Sequence, residues 1–201
     1  MKKYLILVIF LFQSCNKQSN DNTIFFYSNN NMMSEEYMRI AMKYAEKDNY
    51  QKAREYLLKA YELSPNDTAV LSYLANLELY QKNYDEAIRL EYKVIEIIEI
   101  NQSPTGYIEN DIHPYLSLSN ILCIAKRYKE AIEISKKALA LVGDDNLNLK
   151  ASLYCRLSIE NFDLGDYEES LMYADKSLKI DSDNQYLKEL KVNISKLRNS
   201  K

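Results

Sequence analysis

Turn-forming residues are nearly missing from this chain. Its 201 residues hold three glycines and three prolines, where average usage is about 7% and 5%. Sheet proteins need such residues at their turns, so the scarcity argues against a sandwich or a doubly wound sheet and for long helices joined by short loops. Tryptophan is absent and histidine occurs once. That histidine, His113 in "DIHPY", has no second His and no Cys pair at ligand spacing, so it reads as a helix-start or loop residue and no metal site is expected. The glycines Gly106, Gly143 and Gly165 lie too far apart to cradle a phosphate. "DSDNQYLKEL" from Asp181 begins like a calcium loop but carries Tyr186 where Gly is required and Val192 where a Glu should bind. No block of positive charge is present, and binding to nucleic-acid phosphates needs one. The chain offers no nucleophile beside a base, no metal cage and no phosphate cradle. No catalytic residue and no cofactor is therefore expected.

Long apolar runs are also scarce, with one exception at the start, "MKKYLILVIFLFQSCNKQSN". Lys2 and Lys3 precede nine apolar residues, Tyr4 to Phe12, and a small residue, Ser14, stands before Cys15. This is the architecture of a secretory signal. Nine residues are too few to span a bilayer, which needs about 20 in a helix. Leu11 to Cys15 resembles a relaxed bacterial lipoprotein box. That resemblance implies cleavage after residue 14 and acylation of Cys15, with more than one chain holding the protein on the membrane. The alternatives are an ordinary signal peptide with an incidental cysteine and an uncleaved hydrophobic start. No acidic cluster follows Cys15, so the expected location is the periplasmic side of the outer membrane.

Without residues 1–14 the chain keeps 24 basic against 29 acidic side chains, a formal charge of −5. Besides Cys15 there are only Cys123 and Cys155, too few for a disulfide framework. Their places in the repeats described next differ by seven residues, about 10 Å along parallel helices. That exceeds the roughly 7 Å limit on the Cα separation of a disulfide, so two free thiols are expected.

Four segments align on a tyrosine that follows a turn: "EKDNYQKAREYLLKAYELSPND", "YQKNYDEAIRLEYKVIEI", "IAKRYKEAIEISKKALAL" and "FDLGDYEESLMYADKSLKIDSDN". The tyrosines are Tyr50, Tyr84, Tyr128 and Tyr167, at intervals of 34, 44 and 39 residues. Units begin at Ser34, Thr68, Ile112 and Ala151. Their fourth residues are Tyr37, Leu71, Tyr115 and Tyr154, and their seventh Ile40, Leu74, Leu118 and Leu157, one face of a first helix. The eighth is small, Ala41, Ala75, Ser119 and Ser158, and so is the twentieth, Ala53, Ala87, Ala131 and Ser170. Small residues at both places let two helices cross closely. Unit two is unusual, with Glu78 and Glu91 where bulky residues are expected.

These columns resemble the tetratricopeptide repeat family over about residues 34–184. The resemblance implies an all-α, right-handed superhelical solenoid of about four helix-turn-helix repeats, at 34–67, 68–101, 112–145 and 151–184. Residues 185–201 read as a capping helix, with Tyr186, Leu187, Leu190, Ile194 and Leu197 on one side and lysines on the other. Residues 15–33 read as a flexible tether averaging roughly 20–25 Å, in which Ile24 to Tyr27 would cap the first helix pair or meet a partner. The insertion around Pro104 reads as a longer second helix plus a loop, and that before unit four as a backward extension of its first helix.

In this family the first helices line a concave groove. Its contact places fall here on Met38, Arg39 and Met42, then Ser72, Tyr73, Asn76 and Tyr80, then Leu116, Asn120 and Ile124, then Arg156, Ile159 and Phe162. The strongest candidates are Arg39, Met42, Tyr73, Asn76, Tyr80, Asn120, Arg156 and Phe162, a mixture of aromatic anchors, adaptable Met and amides that suits a peptide or a partner helix. The family's clamp for chaperone tails is not expected, because Ser72, Ser117 and Ser152 stand where it needs Lys, Asn and Lys. The function implied is a membrane-anchored protein- or peptide-binding adaptor in the bacterial envelope whose partner is another envelope protein. A glycan-binding lipoprotein stacking sugars on Tyr73 and Tyr80 is the alternative.

Overall fold

The computed structural model describes residues 22–101 and 112–199. Cys15, the expected signal and the loop around Pro104 lie outside the described residues. Among the described residues there are nine helices and no strand: α1 (Asn22–Ala45), α2 (Tyr50–Leu63), α3 (Thr68–Tyr80), α4 (Tyr84–Asn101), α5 (His113–Ile124), α6 (Tyr128–Leu141), α7 (Leu147–Leu164), α8 (Tyr167–Leu178) and α9 (Gln185–Asn199). Every substantial helix contact joins neighbours in the chain, most extensively within the pairs α1–α2, α3–α4, α5–α6 and α7–α8. The fold is thus a solenoid of four helix pairs and a terminal helix, in which each unit rests on the next.

One turn, used four times, makes the pairs. Asp48, Lys82, Lys126 and Gly165 all have positive φ, 57°, 64°, 61° and 88°, and each stands two residues before an aligning tyrosine. The residue after each donates its N–H back across the turn: Asn49 to Tyr44 O at 2.9 Å, Asn83 to Glu78 O at 2.8 Å, Arg127 to Leu122 O at 2.8 Å and Asp166 to Asn161 O at 2.9 Å. This left-handed helix stop satisfies carbonyls that the helix end would otherwise leave open. The same residue then starts the second helix: the Asn49 side chain accepts from Lys52 N and that of Asp166 from Glu169 N, both at 3.2 Å.

The small columns are where the helices cross. Ala41, Ala75, Ser119 and Ser158 are buried, as are Ala53, Ala87, Ala131 and Ser170. In unit four the crossing is polar and reciprocal, since Ser158 Oγ donates to Ser170 O and Ser170 Oγ to Ser158 O, each at 2.8 Å. Ser34 donates to Ala60 O at 3.1 Å and Ser177 to Ala151 O at 2.8 Å. Each of these buried hydroxyls therefore has a partner, as burial requires.

Three expectations meet the structure here. The tether is shorter than residues 15–33, because the chain is already helical from Asn22. Once packing has nucleated a helix, each added residue gains a hydrogen bond, and this outweighs the weak helix preference of asparagine. Asn31, in this extension, accepts from the Ser64 hydroxyl at 3.2 Å. The first helix of unit four does extend backwards, to Leu147 with Asn146 as its cap, and α4 runs on to Asn101. Leu187, Leu190 and Ile194 of α9 are buried against Ala174 of α8, with Phe162 and Tyr167 packed beside them, so this helix closes the array. Tyr186 and Leu197, expected on the same side, stay exposed.

The turn gives a sign-changing prediction. A Cβ at Gly165 would meet nothing within 4 Å, so Gly165→Ala should lose about 1 kcal/mol from backbone strain alone. Lys126→Gly, at the matching position of unit three, should gain stability by up to about 1 kcal/mol. Urea denaturation of the two variants checks both signs.

Candidate functional site

The candidate groove residues divide by how the helices seat them. Asn76, Tyr80 and Asn120 are exposed and Met42 is partly so. Tyr80 is 59% exposed and Ile124, two helices on, 46%. Asn76 Nδ2 donates to Ser72 O of its own helix at 2.9 Å, which turns the amide oxygen outward as an acceptor. The Tyr80 ring sits 4.6 Å from that of Tyr50, whose hydroxyl donates to Asp48 Oδ1 at 2.8 Å. An exposed aromatic is thereby held in place from the neighbouring unit. Asn76, Tyr80, Asn120 and Ile124 thus present exposed amide and apolar groups on α3 and α5, while on α7 the matching places hold the half-buried Ile159 and the exposed Asp163.

The other candidates each have a partner within the chain. Arg39 stands on an outward row of α1 with Glu35 and Lys43 and pairs with Glu36. Tyr73 packs against the cluster built around Leu71, Leu74 and Val94, and burial raises its hydroxyl pKa. Phe162 lies 5.7 Å from the Tyr167 ring, beside the cluster that α9 closes. Arg156 is half-buried and donates to Ser119 Oγ at 3.4 Å. Of the two rings expected in a sugar platform, Tyr80 is exposed and Tyr73 half-buried.

Three buried carboxyls, Glu78, Glu91 and Glu160, stand between the units. Glu78 takes Arg54 Nε at 2.7 Å on one oxygen and Asn83 Nδ2 at 2.8 Å on the other, joining unit one to unit two. Glu91, fully buried on α4, accepts from Ser117 Oγ of unit three at 2.8 Å. Glu160 on α7 accepts from Ser135 Oγ of α6 at 2.7 Å and from Ser119 Oγ of α5, tying unit three to unit four. Each seam between units thus contains one buried carboxyl. Glu78 and Glu91 are visible as charges in bulky columns; Glu160 carries no such signal, because its serine partners lie far away in the chain.

Models of the tetratricopeptide repeat match residues 34–67, 68–100 and 112–183, together most of the chain. The chain belongs to the tetratricopeptide repeat family. No curated protein matches it. Solved structures with this repeat fold resemble it at low identity. "MamA RS-1 ArsTM double mutant" superposes with a TM-score of 0.66 at 14% identity, over 83% of this chain and 85% of that one. "MamA 41-end from Desulfovibrio magneticus RS-1" gives 0.59 at 16%, over 84% and 97%. "Crystal structure of APC/C hetero-tetramer Cut9-Hcn1" gives 0.62 at 18%, over 81% of this chain but 30% of that one. At such identities the likeness concerns the fold.

Tetratricopeptide repeats serve generally as protein-interaction scaffolds. Among the described residues, no group of His, Cys, Asp or Glu is placed to hold a metal ion, and no helix is long and apolar enough to cross a membrane. His113 is the first residue of α5 and is exposed, followed by Pro114 in the first turn, where a missing N–H is tolerated. Cys123 and Cys155 are free and half-buried. Burial, helped by the nearby Glu160 carboxyl, pushes the Cys123 thiol up to about 12, and burial raises Cys155 as well. Thiolate is the reactive form. Both cysteines should therefore alkylate at pH 8 far more slowly in the folded protein than in urea, and equal rates in a timed mass-spectrometric assay would contradict this placement.

Proposed function

We propose that this chain is a lipid-anchored adaptor of the bacterial cell envelope that holds a segment of another envelope protein along its first-helix face. The observation that carries the binding half of this reading is the stripe of Asn76, Tyr80, Asn120 and Ile124, accessible and backed by buried columns. A preformed surface of this kind binds without a large ordering cost. Tyr80 and Ile124 offer apolar contact, while the asparagine amides can satisfy the N–H and C=O groups of a partner backbone.

The anchoring half rests on the first fifteen residues. A short apolar run behind two lysines and a small residue before Cys15 fit a cleaved lipoprotein signal. Acylated Cys15 would hold the array at the periplasmic face of the outer membrane, with the stretch from Cys15 to the start of α1 as the link between membrane and array.

Capture of the tagged protein from crosslinked native membranes tests both halves at once. The wild type should bring down one envelope protein in stoichiometric amount. Cys15→Ala should lose it together with membrane association. Ile124→Glu should stay on the membrane with unchanged thermal unfolding, yet bind at least about tenfold more weakly. Full retention of the partner by Ile124→Glu removes the stripe from the account, and membrane retention by Cys15→Ala removes the anchor.

A further inference from the structure

The three seams between units are closed by carboxyls of different character. In the first, Glu78 has a guanidinium on one oxygen and an amide donor on the other. In the second, Glu91 has only the Ser117 hydroxyl on Oε1, and its Oε2 is buried with no partner. In the third, Glu160 Oε1 gathers the Ser119 and Ser135 hydroxyls, with Cys123 Sγ at 4.0 Å, while its Oε2 is again buried and unpartnered. Arg156, one turn earlier on α7, directs its guanidinium to Ser119 Oγ at 3.4 Å.

An ionised carboxylate needs donors on both oxygens when it is withdrawn from water, because burying an undercompensated charge is far more costly than burying a neutral acid. We propose that Glu91 and Glu160 close the second and third seams as protonated acids, so that the C-terminal half of the solenoid is joined by proton-dependent hinges. Loss of these protons would leave a bare charge between α4 and α5 and another where α7 meets α5 and α6. In an array whose units touch only their neighbours, each seam gives way separately.

The surroundings of the two groups agree with this assignment. For Glu91, burial is the dominant influence and pushes the carboxyl up to about 7, with the Ser117 hydroxyl from α5 opposing weakly. For Glu160, burial again dominates and raises the pKa, against the hydroxyls of Ser119 on α5 and Ser135 on α6 and the charge of Arg156 on its own helix, with Asp163 on that helix adding to the rise. Cys123 on α5 completes the groups facing it, and burial keeps that thiol neutral.

The sign follows from proton linkage. A carboxyl whose folded pKa lies above its unfolded value makes the folded state the better proton binder between the two, so stability rises as pH falls through that window. For Glu91 the window runs from about 7 down to 4.5. Below it, Glu86 and Glu130, whose pKa values are lowered chiefly by hydrogen bonds from Arg89 and Arg127, lose their own contribution.

Urea denaturation of the full chain at pH 5.5 and pH 8.0, for wild type, Glu91→Gln, Glu160→Gln and the double variant, tests the proposal. The wild-type folding constant should be more than about tenfold larger at pH 5.5. Each Gln variant should remove part of that difference by gaining stability at pH 8.0. A flat wild-type profile, or Gln variants that keep the wild-type slope, would overturn the proposal. A 13C-carboxyl NMR titration of the wild type gives the answer even where a variant fails to fold. Two glutamates should titrate well above the rest, and a single cluster at ordinary carboxylate values would overturn the assignment.

Discussion

Two helix backbones can cross at close range only where nothing larger than a methyl or hydroxymethyl group stands between them. That constraint is met at Ala41 and Ala53, at Ala75 and Ala87, at Ser119 and Ala131, and at Ser158 and Ser170, all of them buried. From it follow the tight pairing of α1 with α2 and of its three counterparts, the repeat spacing, and the regular placement of each first helix beside the next. The turn at Asp48, Lys82, Lys126 and Gly165 serves the same end by reversing the chain in a fixed number of residues. Three of the four units accept a left-handed non-glycine residue there. Burial elsewhere in the unit therefore outweighs a local strain of about 1–2 kcal/mol.

The polar groups inside the array form a second layer of specification. At the unit-four crossing Ser158 and Ser170 bond to each other's carbonyls, Ser119 bonds to Ser135 and Glu160, and carboxyls occupy the seams. A hydrophobic column tolerates a slip by one turn, whereas a hydroxyl that must meet one carbonyl does not. The polar seams thus fix how units stack, and so how the stripe from Asn76 to Ile124 lines up.

Much of this was legible in the sequence, and the limits are physical. The period, the tyrosine after each turn and the small columns are short-range signals, repeated four times, and they led to the fold, the free thiols and the closing helix. Helix ends were less legible: Asn-rich residues before Ser34 read as tether because asparagine favours turns, yet they continue a helix that packing has begun. Of the groove positions inferred from the family's contact places, Asn76, Tyr80 and Asn120 are exposed. Tyr73 and Arg156, at the sixth place, and Phe162, beside the cluster that the last helix closes, are half-buried through contacts with residues distant in the chain. The hydrogen bonds of Glu160 join residues 25 and 41 positions apart, and no local pattern announces such a contact.

The central claim is that the first-helix stripe is the surface where a partner sits. A photoreactive amino acid placed at residue 120 in membrane-bound protein, compared with one at the exposed Lys136 position on α6, tests it most directly. The account predicts a single crosslinked envelope protein from position 120 and none from position 136. Equal crosslinking from both positions, or from position 136 alone, would contradict it.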